Sequence, residues 1–225
     1  VVNFNFLDGK CYRAVDPLLG ATGTAGSIWT RLGDRLVSVD QDLRVTFIPI
    51  AFGGTSINRW SEDGDLNKRL LLALERARDA GLAITHVFWE QGQADARSGP
   101  AWSKRRPNKF VMYRESGDAA PWYTMRRSVY RDHFENIMRT VGAAGLSPQF
   151  LVAVSSMCGH DGSPEATAGQ QQIVEASSDV LPGPNYDAIH RRQPDLFPDD
   201  CHLSNEGLET LADAWLEAFS NARPE

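Results

Sequence analysis

Three short apolar runs, each emptying into a polar or glycine-bearing loop and separated by stretches of helical periodicity, constrain this chain's fold more than any other feature. They are Val45 to Ile50, Ile84 to Trp89 and Gln149 to Val154. β-branched and aromatic runs of this length suit strands buried on both faces. A parallel neighbour can be reached only by a crossover, so the intervening segments should be helices. Ser27 to Val39 places Ile28, Trp29, Leu32, Leu36 and Val39 at helical spacing, with Ser27 able to cap the start. Leu66 to Ala80 predicts a helix closed by Gly81. Further helices are expected over Tyr123 to Ala144, Pro164 to about Ser178, and Asn205 to Phe219, the last capped by Ser204 or Asn205. Val1 to Phe6 alternates apolar and polar residues, which suits an initial half-buried strand turned by Asp8-Gly9. The pattern predicts an α/β protein, a three-layer α/β/α sandwich with a central parallel sheet, in a single domain over residues 1–225.

Composition removes several classes of function. A net charge of -6 and a pI near 5.4 argue against a nucleic-acid partner, which needs a basic face to displace counterions; Lys104-Arg105-Arg106 is read as a solvated loop. No segment approaches the roughly 20 apolar residues that span a bilayer, so no membrane partner is expected. The first residues lack the basic start and apolar stretch of a secretory leader. Cys11, Cys158 and Cys201 have no metal-ligand spacing. At most one disulfide can form among them; Cys158 and Cys201 could meet, but buried free thiols are the commoner outcome. Arg97 to about Pro121 fits neither period and reads as an insertion over one face.

In parallel sheets ligands gather beyond the carboxyl ends of the strands, and three loops with chemistry fall there. Phe197-Pro198-Asp199-Asp200-Cys201-His202 puts an acid three residues before a histidine, just ahead of the last helix. A carboxylate on the histidine Nδ1 hydrogen fixes the tautomer that leaves Nε2 free to take a proton from a hydroxyl. Asp200 is the alternative orienting acid. The other two loops are Gly53-Gly54-Thr55-Ser56-Ile57-Asn58-Arg59-Trp60 and Trp89-Glu90-Gln91-Gly92-Gln93-Ala94-Asp95.

Together these blocks resemble those of the SGNH hydrolases, in the sialate O-acetylesterase-like and acetylxylan-esterase-like branch of carbohydrate esterases. That branch reads GGTSI..W, then W.QGE.D, then D..H. Here the matches are Gly53 to Ile57 with Trp60; Trp89, Gln91, Gly92 and Asp95; and Asp199 with His202. Gln93 departs from the pattern, standing where the family usually has Glu, and Glu90 stands where histidine is frequent. The resemblance implies a flavodoxin-like SGNH fold and a carboxylic ester hydrolase that removes an acyl group, acetyl above all, from a carbohydrate without a metal or other cofactor. It assigns His202 as base, Asp199 as its orienter, and Gly54 and Gln91 as oxyanion donors, each such donor being worth ~3 to 4 kcal/mol of barrier. Arg59 and Trp60 lie where sugar hydroxyls or an acidic sugar would sit, or equally serve as packing residues; Trp102, Tyr113, Trp122 and Tyr123 could form a sugar platform, though such aromatics are more often core or loop anchors.

The family's nucleophile occupies a G.S or GQSN block after the first core strand, and residues 1–225 contain no such block. The domain is therefore expected to lack its N-terminal nucleophile block. Ser27 is read as a helix cap, and Ser56, Ser155 and Ser156 as residues that shape the cleft. Two other uses of the scaffold stay open: a non-catalytic carbohydrate-binding protein, and an SGNH lipase or thioesterase.

Overall fold

The computed structural model describes residues 1–96, 125–159 and 161–222. The expected insertion, its aromatic residues and the Lys104 to Arg106 run lie outside the described residues. Strands β1 (Val2–Asn5), β2 (Lys10–Arg13) and β3 (Thr46–Phe47) form one small sheet in the order β2-β1-β3. Strands β4 (His86–Trp89), β5 (Gln149–Val154) and β6 (Val180–Asn185) form a second, in the order β4-β5-β6. Pairing is parallel throughout except for the β1-β2 hairpin. The α/β class and its parallel sheet are thus present. The described sheet comes in two parts, however, with β3 and β4 each an edge.

Helices α1 (Ile28–Val39), α2 (Asn67–Asp79), α3 (Arg127–Ala143) and α4 (Pro164–Ala176) fall where the periodicity places them. So does α6 (Asn205–Ala222), whereas the short α5 (Tyr186–Arg192) lies in a stretch for which the sequence predicted nothing. The Ser27 hydroxyl accepts the Trp29 N–H at 3.1 Å and caps α1. Ser27→Ala is expected to cost about 1 kcal/mol, readable as a lower urea midpoint with unchanged slope.

Layering follows from β5. Phe150 and Val152 point into a core built with Leu70 and Leu74 of α2, Tyr130, Phe134 and Ile137 of α3, and Ile173 of α4. Leu151 and Ala153 point the other way, into a core with Leu32 and Leu36 of α1 and Leu211, Trp215 and Phe219 of α6. Alternation of side chains along a strand sends successive residues to opposite faces, so one apolar run serves both layers. Trp215 is fully buried, lies 5.3 Å from the Phe88 ring and donates its indole N–H to the Tyr186 hydroxyl at 2.8 Å.

Two strands escaped the sequence reading. β2 is exposed along its length, so no apolar pattern marks it. β6 contains Pro182, Gly183 and Pro184, which read as a loop. Among the described residues it pairs only with β5, and an edge strand tolerates prolines that an interior strand cannot. The cysteine expectation needs correction: Cys158 and Cys201 are joined in a disulfide, and the free Cys11 is exposed.

Candidate active site

The loop after β3 and the loop after β4 are fastened together by one buried carboxylate. Asp95, 2% exposed, accepts the Ile57 N–H at 3.0 Å, a Gln91 amide N–H at 2.6 Å and the Ser56 hydroxyl. Gln91 also donates to the Thr55 carbonyl at 2.9 Å. Thr55 in turn accepts the Trp60 indole N–H on its hydroxyl at 3.0 Å. The glycine loop is therefore held by side chains from both sequence blocks.

Gly54 has a φ of 71° and is exposed. That left-handed conformation suits glycine and turns the backbone outward. Its N–H donates to no described residue. Gln91 is differently placed: its two amide hydrogens go to Thr55 and Asp95, and its oxygen accepts the Tyr130 hydroxyl at 3.1 Å. Its service to an oxyanion would require releasing one of those partners.

Gly92 is required by close approach. A Cβ there would stand 2.1 Å from the Ser155 carbonyl oxygen and 2.4 Å from the Gln170 amide nitrogen. Gln170, fully buried on α4, accepts the Ser155 N–H at 3.0 Å and donates to the carbonyls of Ser155 and Gln91 at 2.9 and 2.7 Å. It ties the loop after β4 to the loop after β5, a role that nothing in the helix's sequence pattern announces. Asp187 does similar work, accepting the N–H groups of Ser156 and Met157 and the Ser156 hydroxyl at 2.6 to 3.0 Å.

The departures at Glu90 and Gln93 meet each other. Gln93 donates to Glu90 Oε1 at 2.6 Å and to the Ser155 hydroxyl at 2.9 Å. Burial pushes the Glu90 carboxyl above its ordinary value, against the hydrogen bonds from Ser155 and Gln93 that lower it. The carboxyl group that the family pattern places at position 93 thus has a counterpart three residues earlier.

Asp199 and His202 stand together at the head of α6. Asp199 Oδ2 lies 2.7 Å from His202 Nδ1, and Oδ1 accepts the backbone N–H groups of Cys201 and His202 at 3.1 and 2.6 Å. The hydrogen bond to the His202 ring, then that to its backbone, lowers the Asp199 carboxyl to about 2. It is ionised throughout the range in which a histidine base works. Both side chains are open to solvent, 57% and 82% exposed. Asp200 is turned the other way, its Oδ1 lying 2.9 Å from Nε2 of the buried His190.

Arg59 and Trp60 differ in availability. Trp60 is 5% exposed and packs edge-on to Trp89 at 6.5 Å, so its ring supports the glycine loop from inside. Of the two uses open to Trp60 in the sequence, this burial is that of a packing residue. Arg59 is half-exposed and spends its fork on Asp65 at 2.8 and 2.6 Å, which holds the Asp65 carboxyl below its usual range. No hydrogen bond among the described residues joins His202 to Gly54 or Gln91. The connection runs through Gln170, Ser155 and the loop after β5, then across the Cys158–Cys201 disulfide.

Residues 27–114 match a family model described as carbohydrate esterase, sialic acid-specific acetylesterase. No curated protein sequence matches the chain. Among solved structures, a protein from Arabidopsis thaliana superposes with a TM-score of 0.66 at 18% identity, covering 98% of this chain and 80% of that one. A putative GDSL-like lipase from Parabacteroides merdae ATCC 43184 superposes with a TM-score of 0.60 at 12% identity, covering 88% and 83%.

Proposed function

We propose that this chain, whose residues 27–114 match the carbohydrate-esterase family model and whose fold superposes on a putative GDSL-like lipase, is an SGNH hydrolase that cleaves an acyl ester, acetyl above all, on a carbohydrate through an acyl-enzyme. The observation that carries this reading is the 2.7 Å contact between Asp199 Oδ2 and His202 Nδ1. It fixes the tautomer whose Nε2 can take a proton from an attacking hydroxyl and return it to the departing sugar oxygen. The exposed Gly54 N–H is the first donor to the tetrahedral oxyanion, and Gln91 is the second once substrate draws its amide from Thr55. Arg59 meets the sugar beyond the glycine loop.

The nucleophile is a serine outside residues 1–225. Two observations support that. Ser27 caps a helix, Ser56 is bound to Asp95, Ser155 to Gln93 and Ser156 to Asp187, so these four serines are each engaged with another partner. In addition, β3 and β4 are edges of separate sheets among the described residues, while all four residues of β4 are only half-buried. A parallel strand pairing with both would end at the same side as Gly54, Gln91 and His202.

A fluorophosphonate probe tests this on the protein as its gene encodes it. One modified serine is expected, on a peptide outside residues 1–225, together with acetate release from an acetylated sugar. Modification of Ser27, Ser56, Ser155 or Ser156 would overturn the proposed source of the nucleophile. The full occupancy of the Gln91 amide favours a second reading, a carbohydrate-binding scaffold. Sugar binding with neither labelling nor acetate release would establish it.

A further inference from the structure

The loop bearing Asp199 and His202 is fastened at the residues beside and between them, not at the pair itself. Asp200 holds a left-handed backbone, φ 61°, uncommon for a residue with a side chain and kept only where its surroundings impose it. Its carboxylate meets Nε2 of His190, which is 3% exposed on α5. Its carbonyl accepts the Gly159 N–H at 2.7 Å. The His190 ring stacks on Phe197, with centroids 4.1 Å apart and planes at 21°. Cys201, next in sequence, is bonded to Cys158 in the loop after β5.

We infer that His190, Asp200 and the Cys158–Cys201 disulfide form a latch that positions the Asp199–His202 pair against the strand ends, an inference resting on the esterase reading above. Asp199 grips His202 through its ring and its backbone N–H, and grips Cys201 through its backbone N–H as well. The pair consequently moves as one body. Nothing else among the described residues bonds to either side chain, so residues 200 and 201 set where that body sits. A base displaced by about 1 Å costs on the order of 100-fold in rate, and the displacement leaves sugar contacts elsewhere untouched. These are positioning residues, and their signature is a fall in kcat at constant KM.

Asp200→Gly removes the carboxylate while welcoming the left-handed backbone, so it separates positioning from folding. Asp200→Asn keeps both an acceptor oxygen for His190 and tolerance of that conformation. With the full-length protein and a chromogenic acetyl ester, Asp200→Gly is expected to lower kcat about tenfold or more with KM within about twofold, and Asp200→Asn to restore most of the loss. Mild reduction of the disulfide should lower kcat again, reversibly on reoxidation. Wild-type kcat in Asp200→Gly, or an equal loss in Asp200→Asn, would overturn the latch. Amide hydrogen exchange supplies a readout independent of turnover: the Cys201 and His202 amides should exchange faster in Asp200→Gly and in reduced protein. Unchanged protection in both refutes the latch whatever the activity, whereas a wild-type protein that releases no acetate refutes the esterase reading and leaves the exchange result to decide the latch.

Discussion

Replacing His202 with alanine in the full-length protein is expected to lower kcat for a chromogenic acetyl ester by ~10^3 to 10^4, with little change in stability. The imidazole is 82% exposed and its ring hydrogen bond among the described residues is to Asp199, so its removal opens no buried cavity. Its whole contribution lies in proton transfer. Asp199→Asn should lose nearly as much, because an amide can present a hydrogen to Nδ1 and so favour the wrong tautomer. The two variants also predict a pH profile. The folded-state Asp199 carboxyl is depressed to about 2, below its unfolded value, so the pair is intact above the ordinary carboxylate range and is lost only as pH falls toward 2. Wild-type turnover by His202→Ala would remove this loop from the chemistry altogether.

Asp95→Ala should be the costliest substitution near the site for the fold itself, about 3 kcal/mol or more. The carboxylate accepts from Ser56, Ile57 and Gln91 while 2% exposed, and each donor left without a partner in a buried setting carries a penalty of roughly 1 to 3 kcal/mol. Asp95→Asn should cost less, since it retains one good acceptor. The measurement is the urea midpoint, with acetate release alongside, because loosening Asp95 frees the glycine loop and Gln91 together. An unchanged midpoint would mean that the two loops are held by something other than this side chain.

How much of this could be read from residues alone depended on whether a single periodicity carried the information. α1, α2 and α6 each show one apolar stripe and one capping or closing signal, and they fold where that pattern says. β6 hides because Pro182-Gly183-Pro184 is chemically a loop; only its edge position makes it a strand. The loops after β3 and β4 were legible as the places where apolar runs stop. Their internal bonding was not, because a motif names Asp95 and Gln91 without saying that they bond to each other. Asp199 and Asp200 could not be separated in sequence, differing by one position in a loop of unknown register. The backbone separates them: the left-handed turn at Asp200 carries its side chain to His190 and leaves Asp199 facing His202. Nor could the pairing of Cys158 with Cys201 follow from spacing, since the two lie 43 positions apart with α4, β6 and α5 between them.

β5 has no outside. A strand with one wet face is kept in register by polarity, since a slip of one residue would drown its charged side and expose its oily one. Here both faces are dry, and polarity cannot tell Phe150 and Val152 from Leu151 and Ala153. Size must do it: a one-residue slip in either direction would put a valine, Val152 or Val154, in the small space that Ala153 leaves for Trp215 and its neighbours. Mutational tolerance along β5 should therefore be graded by volume rather than by hydrophobicity, with Ala153 the least forgiving of enlargement.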